Sequence, residues 1–442
     1  MAVASVLSAP AWGQAAQQGS TGQAQPGAAG GQQAAAAQPQ KNWKDRAEYD
    51  LYESITKTAD HNKRLELLNQ WRDKYTATDF QQERLLLYVS TYHGLGQAQK
   101  MIETSRELLK INPSDPTALY WITYLSPTMP GAEKDASTQA EAEKAANGLL
   151  STLATTFAAD KKPAQVDAAT WQRQRAETEA VAHRTLGWVN MVRKAYPEAE
   201  KHLRESIQLN PNSGEVAFWL GTVLYAQGPA QIPQGLWYFA RAAAYDGAGS
   251  LPAPNRKGVD DYLTKAYRGF HGDTSGLNEL KQQARTSANP PAGWAGIKSV
   301  TQMAEEKIKQ EQAQAAADPQ GALWKRIKDE LTGENGPAYF DSSMKGAKPP
   351  EKSFRGKVVT ANAKEIQLAM TDDTTAEATL RFETAVPKVD PGTTLYFTGV
   401  AQSYTKDPFM VTFEAERADV EGFPAPAKSK AKPRPGSTKR RR

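Results

Sequence analysis

A chain of 442 residues with a formal net charge of +5 and no cysteine has room for two or three domains. The missing thiols exclude disulfides, thiolate catalysis and cysteine-based zinc sites. The charge is concentrated at one end. Residues 424–442 (PAPAKSKAKPRPGSTKRRR) hold eight Lys and Arg and no acid, which leaves −3 for the rest. Any electrostatic footprint for nucleic acid is therefore confined to a Pro-rich tail.

Residues 1–40 contain no Lys, Arg, Asp or Glu, and their Ala, Gln, Gly, Ser and Pro cannot build a core. Residues 2–12 (AVASVLSAPAW) form a short apolar run followed by small residues around Gly13 and Ala15. This pattern predicts a secretory signal segment without a basic start, processed near residues 13–15, and then a flexible spacer. The other reading is an Ala/Gln tail throughout. No later apolar run approaches the ~20 residues of a membrane-spanning helix.

From residue 41 the hydrophobic period is helical. Residues 48–81 place Leu51, Ile55, Leu67 and Trp71 on helical stripes, and residues 82–115 close on Leu109, Ile111 and Pro113. Residues 116–125 open another helix, and 138–160 form an Ala-rich helix outside the strict period. At 180–213 the pattern becomes specific. Leu186-Gly187 recurs thirty-four residues later as Leu220-Gly221, with Pro211 between the copies. A period of about thirty-four predicts stacked helical hairpins. Gly inside a helix costs about 1 kcal/mol relative to Ala, so Gly187 is expected where two helices approach closely, with Ala199 as the small residue opposite. Pro211 stops the second helix.

Leu186, Gly187, Tyr196, Ala199, Leu203, Ile207, Leu209 and Pro211 fall at offsets that resemble the tetratricopeptide repeat (TPR) family. The unit at 214–247 keeps Leu220 and Gly221, inserts about two residues after Gln227-Gly228, and regains the spacing at Gly235, Phe239 and Ala242. His183 and Ala217 stand where the family has Trp. Tyr262, Ala266 and Phe270, then Leu277, Leu280 and Ala284, predict a last hairpin closed by Pro290-Pro291. The fold class expected is mainly α: a TPR-like solenoid of four to six hairpins over about 41–290. The resemblance implies that first helices line a groove for a protein or peptide partner. The groove positions carried over are Arg184, Trp188 and Met191, then Phe218, Thr222 and Tyr225. The alternative for Trp188 and Phe218 is ordinary contact between neighbouring hairpins.

Residues 291–350 read as a helical connector, with 299–317 charged on most faces and Leu323, Trp324, Ile327 and Leu331 on one stripe. From Phe354 the period becomes two. FRGKVVTA, EIQLAMT, EATLRFE, TLYFTGVA and FMVTFEA are five strand candidates, with turns at Asn362-Ala363, Asp372-Asp373 and Pro391-Gly392. They predict a small five-stranded antiparallel β-barrel over 351–423, similar in spacing to an OB-fold, or else an SH3-like barrel or small sandwich. Phe382, Phe397 and Phe413 are expected in its core. Residues 424–442 form the basic tail.

No motif assembles a reaction. His61, His93, His183, His202 and His271 are scattered, and His183 and His202 share one hairpin without a third ligand. Asp260-Asp261 and Glu305-Glu306 are adjacent on helices and point apart. No cofactor or metal is expected. The function expected is a non-enzymatic, protein-binding scaffold of the bacterial cell envelope, exported to the periplasm. Its tail would meet anionic envelope polymer or lipid headgroups. The alternative is a cytoplasmic nucleic-acid-associated adaptor using the OB-like module and the tail.

Overall fold

Acidic and hydroxyl residues set where the helices begin. Asp45, Asp60, Asp115, Asp135, Asp167 and Ser213 each accept a hydrogen bond from a backbone N–H of the first turn that follows. Such a cap satisfies a donor the helix leaves unpaired and contributes about 1 kcal/mol. In the computed structural model, which describes residues 41–350 and 352–424, these caps open α1 (Arg46–Lys57), α2 (His61–Lys74), α5 (Pro116–Leu125), α6 (Ala136–Thr156), α7 (Ala168–Val192) and α9 (Gly214–Ala226). The helices α4 (Ala98–Ile111), α8 (Tyr196–Leu209) and α10 (Ile232–Ala244) follow short turns and start without a side-chain cap. With α3 (Gln81–Gly94), α11 (Ala253–His271) and α12 (Leu277–Thr286) they make six hairpins, the upper end of the expected range. No described helix is long and apolar enough to cross a membrane.

The chain divides near residue 300 into two units. In the first, cores run from hairpin to hairpin: Ile55, Leu68 and Trp71 near the start, Leu108, Leu119 and Ile122 in the middle, and Leu203, Leu220, Trp237 and Leu263 toward the end. The repeat glycines lie at close approaches. A Cβ on Gly187 would fall 2.6 Å from the Leu203 side chain, and one on Gly221 would fall 2.8 Å from the Phe239 ring. The nearest side chain to Gly187 is thus Leu203, with Ala199 buried one turn earlier on α8. Pro211 lies just beyond α8, whose cap residue Asn210 has left the helical conformation (φ −133°, ψ 84°).

Three buried arginines tie hairpins together in one way. Arg84 donates to the carbonyls of Trp71 and Tyr75 (2.7 Å to the latter), Arg184 to that of Tyr124 (3.3 Å), and Arg241 to those of Ala284 and Arg285 (3.2 and 2.6 Å). Each acceptor lies at a helix C-terminus, where carbonyls lack helical partners and the dipole favours positive charge. Arg241 also reaches the Pro211 carbonyl at 3.1 Å, spanning two loops.

The second unit is a seven-stranded mixed sheet, which corrects the expectation of five antiparallel strands closed into a barrel. Its strands are β1 (Phe354–Ala361), β2 (Glu365–Ala369), β3 (Ala376–Arg381), β4 (Thr394–Phe397), β5 (Val400–Lys406), β6 (Phe409–Glu414) and β7 (Val420–Glu421). The order is β5-β6-β3-β2-β1-β4-β7, with β3 and β6 parallel and β5 and β7 at the edges. The expected strand TLYFTGVA breaks at Thr398-Gly399 into β4 and β5. A Cβ on Gly399 would lie 3.0 Å from the Glu414 carbonyl and 3.1 Å from Phe413, so a larger residue would crowd the end of β6.

Phe382, Phe397 and Phe413 lie in the core as expected. Of the stripe on α14 (Pro319–Thr332), Trp324, Ile327 and Leu331 are buried against the sheet and belong to that core too, whereas Leu323 is exposed. A buried carboxylate pins this helix. Glu377 on β3 accepts from Trp324 Nε1 (2.9 Å), Thr371 Oγ1 (2.6 Å) and the Lys328 ammonium. Burial alone would raise its pKa, but these donors hold it below the ordinary carboxylate value. The charged helix α13 (Val300–Ala317) buries none of its residues.

Candidate functional site

The first helices α5, α7, α9 and α11 carry a run of aromatic and guanidinium groups. On α5, Tyr120 and Tyr124 are one turn apart and stack with ring centroids 6.0 Å apart and planes within 3°. The Arg184 guanidinium from α7 lies over the Tyr124 ring at 5.4 Å and over Trp219 of α9 at 5.1 Å. Its Nε donates to Glu215 at 2.6 Å. Three consecutive first helices are therefore joined by one side chain. A flanking bond adds to this: Thr185 Oγ1 donates to the Thr123 carbonyl at 2.8 Å.

Farther along, the surface opens. Phe218 and Tyr225 are half-buried, and their centroids stand 5.9 and 6.1 Å from that of Phe239 on α10. Tyr262 of α11 lies 5.1 Å from Phe239 and 6.4 Å from Tyr225, and it is 46% exposed. Phe218, Tyr225 and Tyr262 thus form an aromatic strip with solvent on one side. Thr222 lies within it, its hydroxyl donating to the Phe218 carbonyl at 2.9 Å.

The six predicted groove residues divide. Phe218, Thr222, Tyr225 and Met191 keep partial exposure. Trp188 does not: it is 4% exposed and packs with Ala132, Ala142 and Val189. Arg184 is buried as well, its charge used internally by Glu215 and the Tyr124 carbonyl. Both assignments to a solvent-facing groove are corrected. Trp188 is covered by Ala132 and Ala142 from the segment 126–167, outside the strict repeat, and Arg184 by Tyr124 and Trp219 from the neighbouring first helices. The repeat-defining residues Leu186, Gly187, Ala199, Leu220 and Gly221 are all buried, and Pro211 is exposed.

Sequence reasoning missed Tyr120, Tyr124, Trp219 and Tyr262 as members of this face. Tyr262 was readable only as a helical-stripe residue, because its exposure depends on where α11 crosses α10. It placed His183 and His202 on one hairpin but gave them no contact. The structure brings their Nδ1 atoms to 3.0 Å, across α7 and α8. Folding the hairpin about Lys194, which has a left-handed φ of 61°, would have placed them opposite each other. Two open depressions flank other hairpins. One of about 590 Å³ lies beside Asp50, Ser54, Gln70 and Asp73, and one of about 300 Å³ beside Arg204, Gln234, Tyr238 and Asn289. In the second, the Arg204 guanidinium is already taken by Glu200 at 2.7 Å and Gln234 at 2.7 Å.

No family model matches the chain, and no curated protein matches it. Among solved structures, a thermophilic TPR protein of Thermus thermophilus aligns over 50% of this chain and 95% of its own, at 16% identity and a TM-score of 0.26. The description of the helical unit as an array of TPR-like hairpins rests on the chain's own repeat and geometry.

Proposed function

We propose that the protein is a non-enzymatic scaffold that captures a protein segment on the first-helix face of its repeat array. The observation that carries this reading is the partly exposed strip of Phe218, Tyr225 and Tyr262. Rigid aromatic side chains supply contact area at small entropic cost and are favoured anchors at interfaces. The strip itself is aromatic, and Arg184 on the neighbouring first helix is already paired with Glu215. The partner segment is therefore apolar or aromatic rather than an acidic terminus.

The composition of residues 1–40, which lie outside the described residues, supports export to the cell envelope. There the basic tail, of which only Pro424 is described, meets anionic polymer or lipid headgroups. The second unit is a seven-stranded mixed sheet in which only Thr398 and Gly399 separate β4, paired with β1, from β5, paired with β6.

The test compares wild type with the Y225A/Y262A variant in crosslinked pull-downs from envelope extract, with helical content checked by circular dichroism. Wild type should retain specific proteins that the variant loses at least tenfold. Equal capture by a folded variant would remove the aromatic strip from the binding face.

A further inference from the structure

His183 on α7 and His202 on α8 face each other through the same ring atom, Nδ1 to Nδ1 at 3.0 Å, with ring planes 30° apart. Two bare lone pairs at that distance repel. The contact is a hydrogen bond only if one Nδ1 carries a proton and the other does not. Two neutral rings satisfy this when one is the Nδ1–H tautomer and the other the Nε2–H tautomer. One added proton, taken at the Nε2 of the donor ring, leaves the bond intact and makes it charge-assisted. A second proton leaves both Nδ1 atoms as donors, and two imidazolium rings then point N–H at N–H inside a half-buried seam.

We infer that His183 and His202 share a single proton across the α7–α8 hairpin, and that a second proton drives the two helices apart, making this hairpin an acid-sensitive element of the array.

The surroundings favour this behaviour. Burial lowers the pKa of both rings, and each also feels Lys201. For His202 the neighbouring His183 is a further cause. The carboxylates acting on the pair are Glu179 on α7 and Glu198 and Glu205 on α8, which oppose the shift without cancelling it. A histidine whose folded pKa is depressed contributes stability that is present above the unfolded value near 6.5. That contribution is lost as pH falls below it, because the unfolded chain then binds protons the folded one resists. The two rings titrate as a pair, so the first proton should be tolerated and the second should be the disruptive one.

The element has a local consequence. Ser206, one turn beyond His202, donates to the Ala180 carbonyl at 2.9 Å, and Leu203 packs on Gly187. These contacts flank the histidine pair, and Arg184, which joins three first helices, is the residue after His183. Loosening α8 at this level releases the Ser206–Ala180 and Leu203–Gly187 contacts that hold it on α7.

Two measurements on the full chain test this. Histidine-selective ¹⁵N NMR at pH 7.5 should show one of the two rings as the Nδ1–H tautomer, with coupling between the two Nδ1 nuclei. Two Nε2–H rings titrating independently near 6.5 overturn the inference. Hydrogen exchange, corrected for intrinsic rate, should show α8 protection falling at least tenfold between pH 7.5 and 5 in wild type. The H183L/H202L variant should change less than twofold. An equal acid response in that variant overturns the inference, and should the variant fail to fold, the tautomer measurement on wild type decides alone.

Discussion

Arg184, Trp188 and Met191 on α7 stand thirty-four residues before Phe218, Thr222 and Tyr225 on α9, so the two copies offer the same three helical positions. Their surroundings differ. On α7, Trp188 is buried against Ala132 and Ala142 and Arg184 between Tyr124, Trp219 and Glu215, whereas on α9 all three remain partly open. A repeat period fixes where a side chain stands on its helix. Exposure is decided by the neighbouring hairpin, here an irregular one with a twenty-one-residue second helix. A groove transferred by register alone therefore holds for one copy and fails for the other.

The widest gap between the copies should appear on truncating the central position. Trp188→Ala removes a buried indole and should cost about 3–5 kcal/mol. Thr222→Ala, at the equivalent place, should stay within about 1 kcal/mol. Urea unfolding of the array followed by far-ultraviolet circular dichroism measures both, and equal losses would erase the distinction drawn here. The repeat glycines give a smaller effect shared by both copies. In Gly221→Ala the new methyl meets the Phe239 ring and, at 3.0 Å, the Gly235 carbonyl, so about 1–3 kcal/mol should be lost. In Gly187→Ala it meets Cγ of the fully buried Leu203 at 2.6 Å, so about 1–3 kcal/mol should be lost there too. An unchanged midpoint for either variant would contradict this. The smallest effect concerns the link between copies. Glu215→Ala leaves Arg184 with the Tyr124 carbonyl and two aromatic faces, and it should cost about 1 kcal/mol. A double-mutant cycle with Arg184→Met isolates that pair, and zero coupling would show that the link carries no stability.

What could be read in advance follows the range of the interactions. Leu186, Gly187, Leu203 and Pro211 were legible because a hairpin is a local object whose glycines and prolines have fixed geometric duties. The last hairpin was legible from Leu277, Leu280 and Ala284 for the same reason. Five strand segments were visible, but β5 was hidden by the apolar run through Thr398-Gly399. The break there is imposed by β6, a strand ten residues further on. The role of Glu377 was invisible too, because a single acid in a period-two segment reads as solvent-facing until Trp324 and Lys328 arrive from another element. Tyr262 and Trp219 were missed because their meaning depends on which helices become neighbours, whereas His183 and His202 were placed on one hairpin and only their ring contact was missed.

The route of the sheet has a consequence for the order of assembly. Every hairpin of the array meets mainly the hairpin next to it, so its contacts can form as the chain emerges. The sheet cannot proceed in that way. Its β1–β4 ladder joins Phe354 to Phe397, and its parallel ladder joins Ala378 to Val411. Central strand β3 lacks its parallel partner until β6 has been made, so the sheet is completed only when its last strands are present. During synthesis the array should therefore be native while β1, β2 and β3 still wait for β6, and that interval is when their apolar faces need shelter.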